Sequence, residues 1–557
     1  MRAISVLVVC SVFVGMTACS SRQTGDSTSE RIRTTTDSKQ ERNKENKKEN
    51  IAEADTEDLG LIPDGGTGQQ TPVQMVDENY TFPDDESWRY VEIEAEEEYS
   101  HEEESPFKDV MTSPLSTFSA DVDTASYSNM RRFIQNGQTP EGVRVEEFIN
   151  YFDYDFSNKP GNDEHPFTVH AEVAECPWER NNGLAMISIQ GENLSQDQNM
   201  ANNIVFLIDV SGSMGESNKL PLLQASFKLL IEELDEEDIV SIVTYAGSEK
   251  VVADSISGDR KRELNRKIDS LMSGGSTAGA AGITTAYELA EKNFIEDGNN
   301  RIILATDGDF NVGVSSGAAL EELIEEKRES GVFLTVLGYG MYNLKDNRME
   351  LLADKGNGNY AYIDTLDEAR KVLVHEFDST MYTIAKDVKF QVEFNPEVVS
   401  EYRLIGYDNR RLENEDFEND LKDAGEIGAG HTVTAFYEIK FTDGEAGGGN
   451  LKYQQSVSTG SDELMTVSIR YKKPDGDQSI LTETVIDQEN YNENPSTNFQ
   501  FASAVAEFAL ILKNSEYRGN ATLNQVIGRA EDAIGEDEFG LRQEFVELVE
   551  MYQGIVD

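Results

Sequence analysis

Five consecutive bulky apolar residues, Ile204 to Ile208, run without alternation into Asp209-Val210-Ser211-Gly212-Ser213. A strand with polar residues at every second position can leave one face wet. This one cannot, and it demands cover on both faces, as in a parallel sheet flanked by helices. Open sheets of that kind bind ligands beyond the carboxyl ends of their strands. The abrupt change to one carboxylate and two hydroxyls therefore puts three oxygen donors at the edge where such folds bind. Hard divalent cations take oxygen ligands, and magnesium keeps several waters in a near-octahedral shell, so a few short side chains suffice. Gly212 lets the loop turn tightly enough to aim both hydroxyls inward.

Two further segments have the same character. Met272 to Gly282 is a glycine-rich loop that runs into a helical pattern and presents Thr277 at the turn. Arg301 to Phe310 holds a second buried strand, which ends in Asp307. Taken together, Asp209, Ser211, Ser213, Thr277 and Asp307 resemble the metal-ion-dependent adhesion site (MIDAS) of the von Willebrand factor type A (VWA) domain. The resemblance implies a bound Mg2+, or another divalent cation such as Mn2+ or Ca2+. It implies that the serines and threonine touch the ion directly or through water and that the aspartates often act through water. The last coordination position then goes to an acidic side chain of a partner protein. Taken singly, Asp209 to Ser213 also reads as a capping turn and Asp307-Gly308 as a plain turn. Three such loops at domain-compatible spacing argue for the metal site.

The surrounding pattern alternates strand and helix. Leu220, Leu223, Phe227, Leu230, Ile231 and Leu234 recur at helical spacing, and Asp238 to Ala246 reads as the next strand. A hairpin-like strand near Lys250 to Ala253 and helices at Arg260 to Leu271 and Ala278 to Asn293 follow. After the strand Arg301 to Ala305 come a helix at Gly317 to Ser330, a strand at Val332 to Gly338, a helix at Asn347 to Lys355, a strand at Tyr360 to Ile363 and a helix at Asp367 to Phe377. Such alternation builds an α/β, doubly wound, Rossmann-like sheet, expected here over residues 200–382.

At 557 residues the chain is too long for a single core. Its formal charge of −57 argues against nucleic acid as a partner and favours solubility, cation association or basic partners; a saline habitat is the plainest explanation. Arg2, the apolar run Ile4 to Val14 and the small residues before Cys19 form a secretory signal over 1–19, too short to span a membrane. The end of this signal resembles a bacterial lipobox, with methionine at position 16 where leucine is usual, which implies lipid on Cys19. The expected location is the bacterial cell envelope, anchored to a membrane by that lipid, and the outer membrane if the cell has two. Cys10 would leave with the signal, so Cys176 would remain alone, a buried apolar thiol with no partner for a disulfide. Residues 20–106 are polar and charged, basic early and acidic from Glu92 to Glu104, and are expected to be a disordered charged linker, read equally as a tether that lifts the folded part off the membrane or as a plain solvated linker.

The flanks of the central domain differ from it. Residues 110–199 read as a small α+β module, with Asp123 capping a helix that carries Tyr127, Met130, Arg131 and Ile134 at helical spacing. Asp121 and Asp123 also admit reading as a second metal pair, though cap and turn roles fit them better. Residues 383–497 alternate as half-buried antiparallel strands, and 498–557 are helical. The whole, over about residues 110 to 557, resembles a family of bacterial VWA lipoproteins loosely labelled calcium-activated chloride channel homologues. The chain offers no apolar segment beyond the signal with which to form a pore. The function expected is binding of a partner protein through the metal. The alternatives are a scaffold with a purely structural ion, or a metal-assisted hydrolase. Against an enzyme, the five histidines show no zinc or nucleophile–base spacing, and there is no Gly-x-Ser-x-Gly elbow or Walker ending.

Overall fold

The structure is a computed structural model that describes residues 97–100, 102–154, 156, 165–193, 200–275, 279–308, 317–442, 460–474 and 476–557. The first part forms β1 (Lys108–Asp109), β2 (Leu115–Ser119), α1 (Ala125–Gln135), α2 (Val145–Ile149), β3 (Phe167–Glu175) and β4 (Gly183–Gly191). The central part begins with β5 (Asn202–Asp209), α3 (Leu220–Glu233), β6 (Ile239–Tyr245), β7 (Glu249–Ser257), α4 (Lys261–Asp269) and α5 (Gly279–Lys292). It continues with β8 (Asn299–Thr306), α6 (Gly317–Arg328), β9 (Phe333–Tyr339), α7 (Asp346–Lys355), β10 (Tyr360–Ile363), α8 (Leu366–Arg370) and α9 (Phe377–Met381). The last part holds β11 (Thr383–Phe394), β12 (Val399–Ile405), β13 (Gly425–Gly428), β14 (Thr432–Phe441), β15 (Met465–Lys472) and β16 (Ile480–Ile486). Helices α10 (Thr497–Leu512), α11 (Leu523–Asp532) and α12 (Leu541–Val556) end the chain.

The central sheet has the order β10-β9-β8-β5-β6-β7, parallel throughout except for β7, which runs antiparallel to β6. Every residue of β5 is buried. Ile204, Phe206 and Ile208 join a core with Leu223 and Phe227 of α3, while Val205 and Leu207 join another with Ile283 and Tyr287 of α5. This two-sided burial is what the unbroken apolar run requires. The rings of Phe206 and Phe227 stack at 4.3 Å, and truncating such a buried ring to alanine costs about 3–5 kcal/mol. The expected doubly wound sheet is present. Its last helix departs from the expectation of one continuous element, because a π-helical turn at Lys371–His375 separates α8 from α9. The wider turn leaves the Lys371 ammonium bonded to Glu376 and 4.2 Å from the centre of the Tyr151 ring.

Strands from before and after the central sheet pair with each other. One sheet runs β1-β12-β14-β4-β3, another β13-β11-β15-β16, and β2 also pairs with β11. The stretches 110–199 and 383–497, read from the sequence as separate modules, thus share one sandwich. A β3–β4 hairpin has two apolar faces and too few strands to bury them alone. Ala185, Ile187 and Ile189 face the sandwich core, while Leu184 and Met186 face a helical core built by α1, α2 and α10 to α12. Strand β14 was expected to be half-buried; eight of its ten residues are buried. Its polar positions find buried partners, Thr434 in Asn150 and Ser188 and Glu438 in Arg403, Asn182 and Trp178.

Three local expectations change. Asp123 caps no helix: Thr124 precedes α1 without a side-chain cap. The Asp123 carboxylate instead accepts from the backbone N–H of Tyr360 at 2.6 Å, and Ser128 donates to the carbonyl of Tyr362 at 2.7 Å. Both cover the outer edge of β10, which would otherwise offer unpaired backbone groups. Asp121 pairs with Arg410. The end of the presumed tether is also ordered: Glu98 N donates to Leu344 O at 3.0 Å, and Ser105 N donates to Asp408 at 3.0 Å. Cys176 is buried, as expected, and burial raises its thiol pKa. Among the described residues no helix is long and apolar enough to cross a membrane. Cys19 lies outside the described residues.

Candidate metal centre

The carboxyl ends of β5 and β8 deliver Asp209 and Asp307 to the same edge of the sheet, both completely buried. Beyond Asp209 the chain makes a single 3-10 turn at Gly212–Gly215. Asp209 shapes that turn, since its Oδ1 accepts from Ser211 N at 2.8 Å. The hydroxyls of Ser211 and Ser213 come within 2.8 Å of each other. Thr306 ties the two carboxylate loops: its Oγ1 donates to Asp209 Oδ2 at 3.2 Å and accepts from Gly308 N at 3.3 Å. Gly308 has φ +106°, and an added Cβ would come within 2.3 Å of Asn343 O, so a side chain there is both strained and sterically blocked.

The glycine-rich loop docks on the first loop through its backbone. Gly212 N donates to Gly275 O at 3.0 Å, and Gly274 N donates to Val210 O at 2.8 Å. Gly275, at φ +91°, makes the turn that permits this approach. Thr277 lies two residues further on, outside the described residues. Of the five residues expected at the site, the structure brings Asp209, Ser211, Ser213 and Asp307 together and carries the third loop to within two residues of Thr277.

Burial pushes the Asp209 carboxyl up to about 6, opposed by its bonds from Ser211 and reinforced by the negative charge of Asp307. Two buried carboxylates side by side call for positive charge. Asp307 Oδ2 accepts from the Lys219 ammonium at 3.0 Å, whereas Asp307 Oδ1 is buried with no hydrogen-bond partner among the described residues. An all-oxygen donor set with an unsatisfied buried carboxylate oxygen fits Mg2+, Mn2+ or Ca2+ and does not fit a thiol- or imidazole-seeking metal. Asp209, Ser211, Ser213 and Asp307, with Thr277, would hold the ion, which supplies a Lewis-acidic position for an anionic oxygen. Lys219 and Asn343, which bond to each other at 3.1 Å, were not singled out from the sequence. The available signal was a lysine at the start of a helix, where positive charge is disfavoured.

A second group of acids, Asp123, Glu147 and Glu350, has carboxylate oxygens within 4.8 Å of one another. Arginines occupy it: Arg144 pairs with Glu147, and Arg410 pairs with Asp123 and Glu350.

Three family models match the chain: von Willebrand factor over residues 93–186, von Willebrand factor type A domain over 203–375, and the C-terminal region of the uncharacterized protein YfbK over 379–555. The uncharacterized protein YfbK of Escherichia coli (strain K12) is 44% identical over 470 residues, covering 82% of this chain and 81% of that protein. Human inter-alpha-trypsin inhibitor heavy chain H3 is 26% identical over 164 residues, 28% of this chain and 18% of that one. Among solved structures, a von Willebrand factor type A protein from Catenulispora acidiphila aligns over 80% of this chain and 90% of its own, at 14% identity and a TM-score of 0.39. With a VWA domain at its centre and a matching C-terminal region, the chain belongs to the YfbK family.

Proposed function

We propose that this protein is a lipid-anchored component of the cell envelope that captures a partner protein through a divalent ion held by Asp209, Ser211, Ser213, Thr277 and Asp307. An acidic side chain of the partner fills the ion's open position, and lipid on Cys19 holds the protein at the membrane. A VWA domain suggests a protein-interaction or scaffold role. The observation that carries the metal-dependent form of that role is the pair of buried carboxylates, Asp209 and Asp307, at the ends of adjacent strands, with the Ser211 and Ser213 hydroxyls in the loop that follows Asp209 and Asp307 Oδ1 without a hydrogen-bond partner among the described residues.

The test is a pull-down from envelope extract with Mg2+ or with chelator, using wild type and Asp209→Ala. Capture should require Mg2+ and vanish in the variant, with circular dichroism unchanged. Equal capture by both proteins, or capture indifferent to chelator, rejects the proposal. If chelation lowers only the melting temperature, the ion is structural. In cell fractionation, Cys19→Ser should move the protein out of the membrane fraction; a variant that stays there contradicts the anchor.

A further inference from the structure

Lys219 occupies the N-cap of α3 and is 4% exposed. A helix N-terminus carries partial positive charge, so an ammonium there is disfavoured unless something else holds it. Here the Asp307 carboxylate and the Asn343 amide oxygen hold it, at 3.0 and 3.1 Å. The aliphatic stem is confined as well. It lies against Gly340, at φ +82°, where an added Cβ would come within 2.3 Å of Lys219 Cε and 2.5 Å of its Cγ. A buried, doubly bonded lysine with a fixed stem is a fixed charge.

We infer that Lys219 is a specificity-determining residue of the metal centre, one that makes a bound divalent ion select an anionic ligand. The inference rests on the metal-site reading above and adds the charge balance. Asp209 and Asp307 contribute two negative charges, which a divalent ion alone would neutralise, leaving little preference between a carboxylate and a neutral oxygen at the open position. Lys219 leaves the occupied site with one net positive charge, in surroundings where water screens little. The same charge repels the ion. Removing it therefore has opposite effects on two affinities: the metal binds more tightly and the anion more weakly. A lysine whose role is only to support the loop gives no such opposition.

The experiment uses the full chain with Mn2+ as the ion and glutarate as the carboxylate probe. Metal affinity is read by electron paramagnetic resonance of free Mn2+, and glutarate binding by the water proton relaxation of the bound Mn2+. Lys219→Met keeps the stem and removes the charge; it should lower the Mn2+ Kd at least tenfold and raise the glutarate Kd at least tenfold, since a factor of ten is what one unit charge still contributes at about 12 Å in an effective dielectric of roughly 20 and a nearer charge contributes more. Lys219→Arg keeps the charge and should leave the order of both affinities as in wild type. If Lys219→Met fails to fold, Lys219→Gln makes the same charge change and is read the same way. Weaker or unchanged Mn2+ binding in the charge-free variant overturns the inference, as does movement of both affinities in one direction or an equal response from Lys219→Arg. A wild type that binds no Mn2+ overturns the metal-site reading itself.

Discussion

Around α7 and α8, the buried carboxylates Asp346, Glu350, Asp364 and Glu368 meet three arginines from the flanking segments, Arg131, Arg144 and Arg410. At the carboxyl end of β5 and β8, Lys219 pairs with Asp307, Asp209 has no cation partner among the described residues, and one oxygen of Asp307 has no hydrogen-bond partner among them. Both regions are acidic and both are buried, yet only one is closed. Arg131 grips both oxygens of Asp364, at 2.6 and 2.8 Å, and also reaches Glu368 and Tyr151. Such a planar fork fills a carboxylate's acceptor sites with fixed donors and leaves no place for an ion. The arginine region is the seam between the VWA domain and the flanking sandwich; the lysine region keeps oxygen donors for an outside charge. In a chain this acidic, the presence of matched arginines separates structural acid clusters from a candidate cation site.

The seam should fail hardest when an arginine is lost. Arg131→Met leaves Asp364 and Glu368 buried without their main partner, and breaking a buried pair in this way costs about 3–5 kcal/mol. Urea unfolding should show that loss with Mn2+ affinity little changed. A loss below roughly 1 kcal/mol, the range of an exposed pair, would mean that the seam is not held by charge. Gly308→Ala attacks the other region. It forces a Cβ against Asn343 O at positive φ, so thermal unfolding should show a cost of about 1–3 kcal/mol and Mn2+ titration a weakened site; wild-type affinity in this variant would show that the Asp307 loop does not need its present course.

A smaller effect comes from pH. Burial pushes the Glu147 carboxyl up to about 7, with Arg144 opposing and Glu350 adding to the rise. Burial and the charge of Asp121 push Asp354 up to about 8, against Arg410. Both folded-state values lie above those of the unfolded chain, so the folded state holds protons that the unfolded state releases. Their contribution to stability is complete below the ordinary carboxyl range near 4 and is lost as pH rises through 7 and 8. The melting temperature should therefore fall between pH 5.5 and 8.5, and Glu147→Gln should flatten part of that slope. A slope unaltered by Glu147→Gln would remove Glu147 from the seam's titration.

The central sheet was legible because a strand buried on both faces writes an unbroken apolar run, and Ile204 to Ile208 has no other economical reading. Asp209, Ser211, Ser213 and Asp307 followed from position, since side chains just past such strands share one edge. The sandwich was not legible. Alternation in β4 or β14 shows that a strand has two distinct faces, but it does not say that β14 lies between β4 and β12, and its pairing with β4 joins residues more than 200 positions apart. Asp123 was misread because an aspartate just before a helix has the composition of a cap, while its actual partner, the Tyr360 N–H, is far along the chain. Arg131 left a trace: it fell on the apolar face of α1 among Tyr127, Met130 and Ile134, where an arginine needs buried carboxylates to be tolerated.

Anomalous scattering from crystals grown with Mn2+ tests the contrast between the two regions most directly. The expected result is one strong peak bounded by Asp209, Ser211, Ser213 and Asp307, and none among Asp123, Glu147 and Glu350. A peak in the arginine-lined cluster, or an empty edge beyond β5 and β8 at saturating Mn2+, would contradict it.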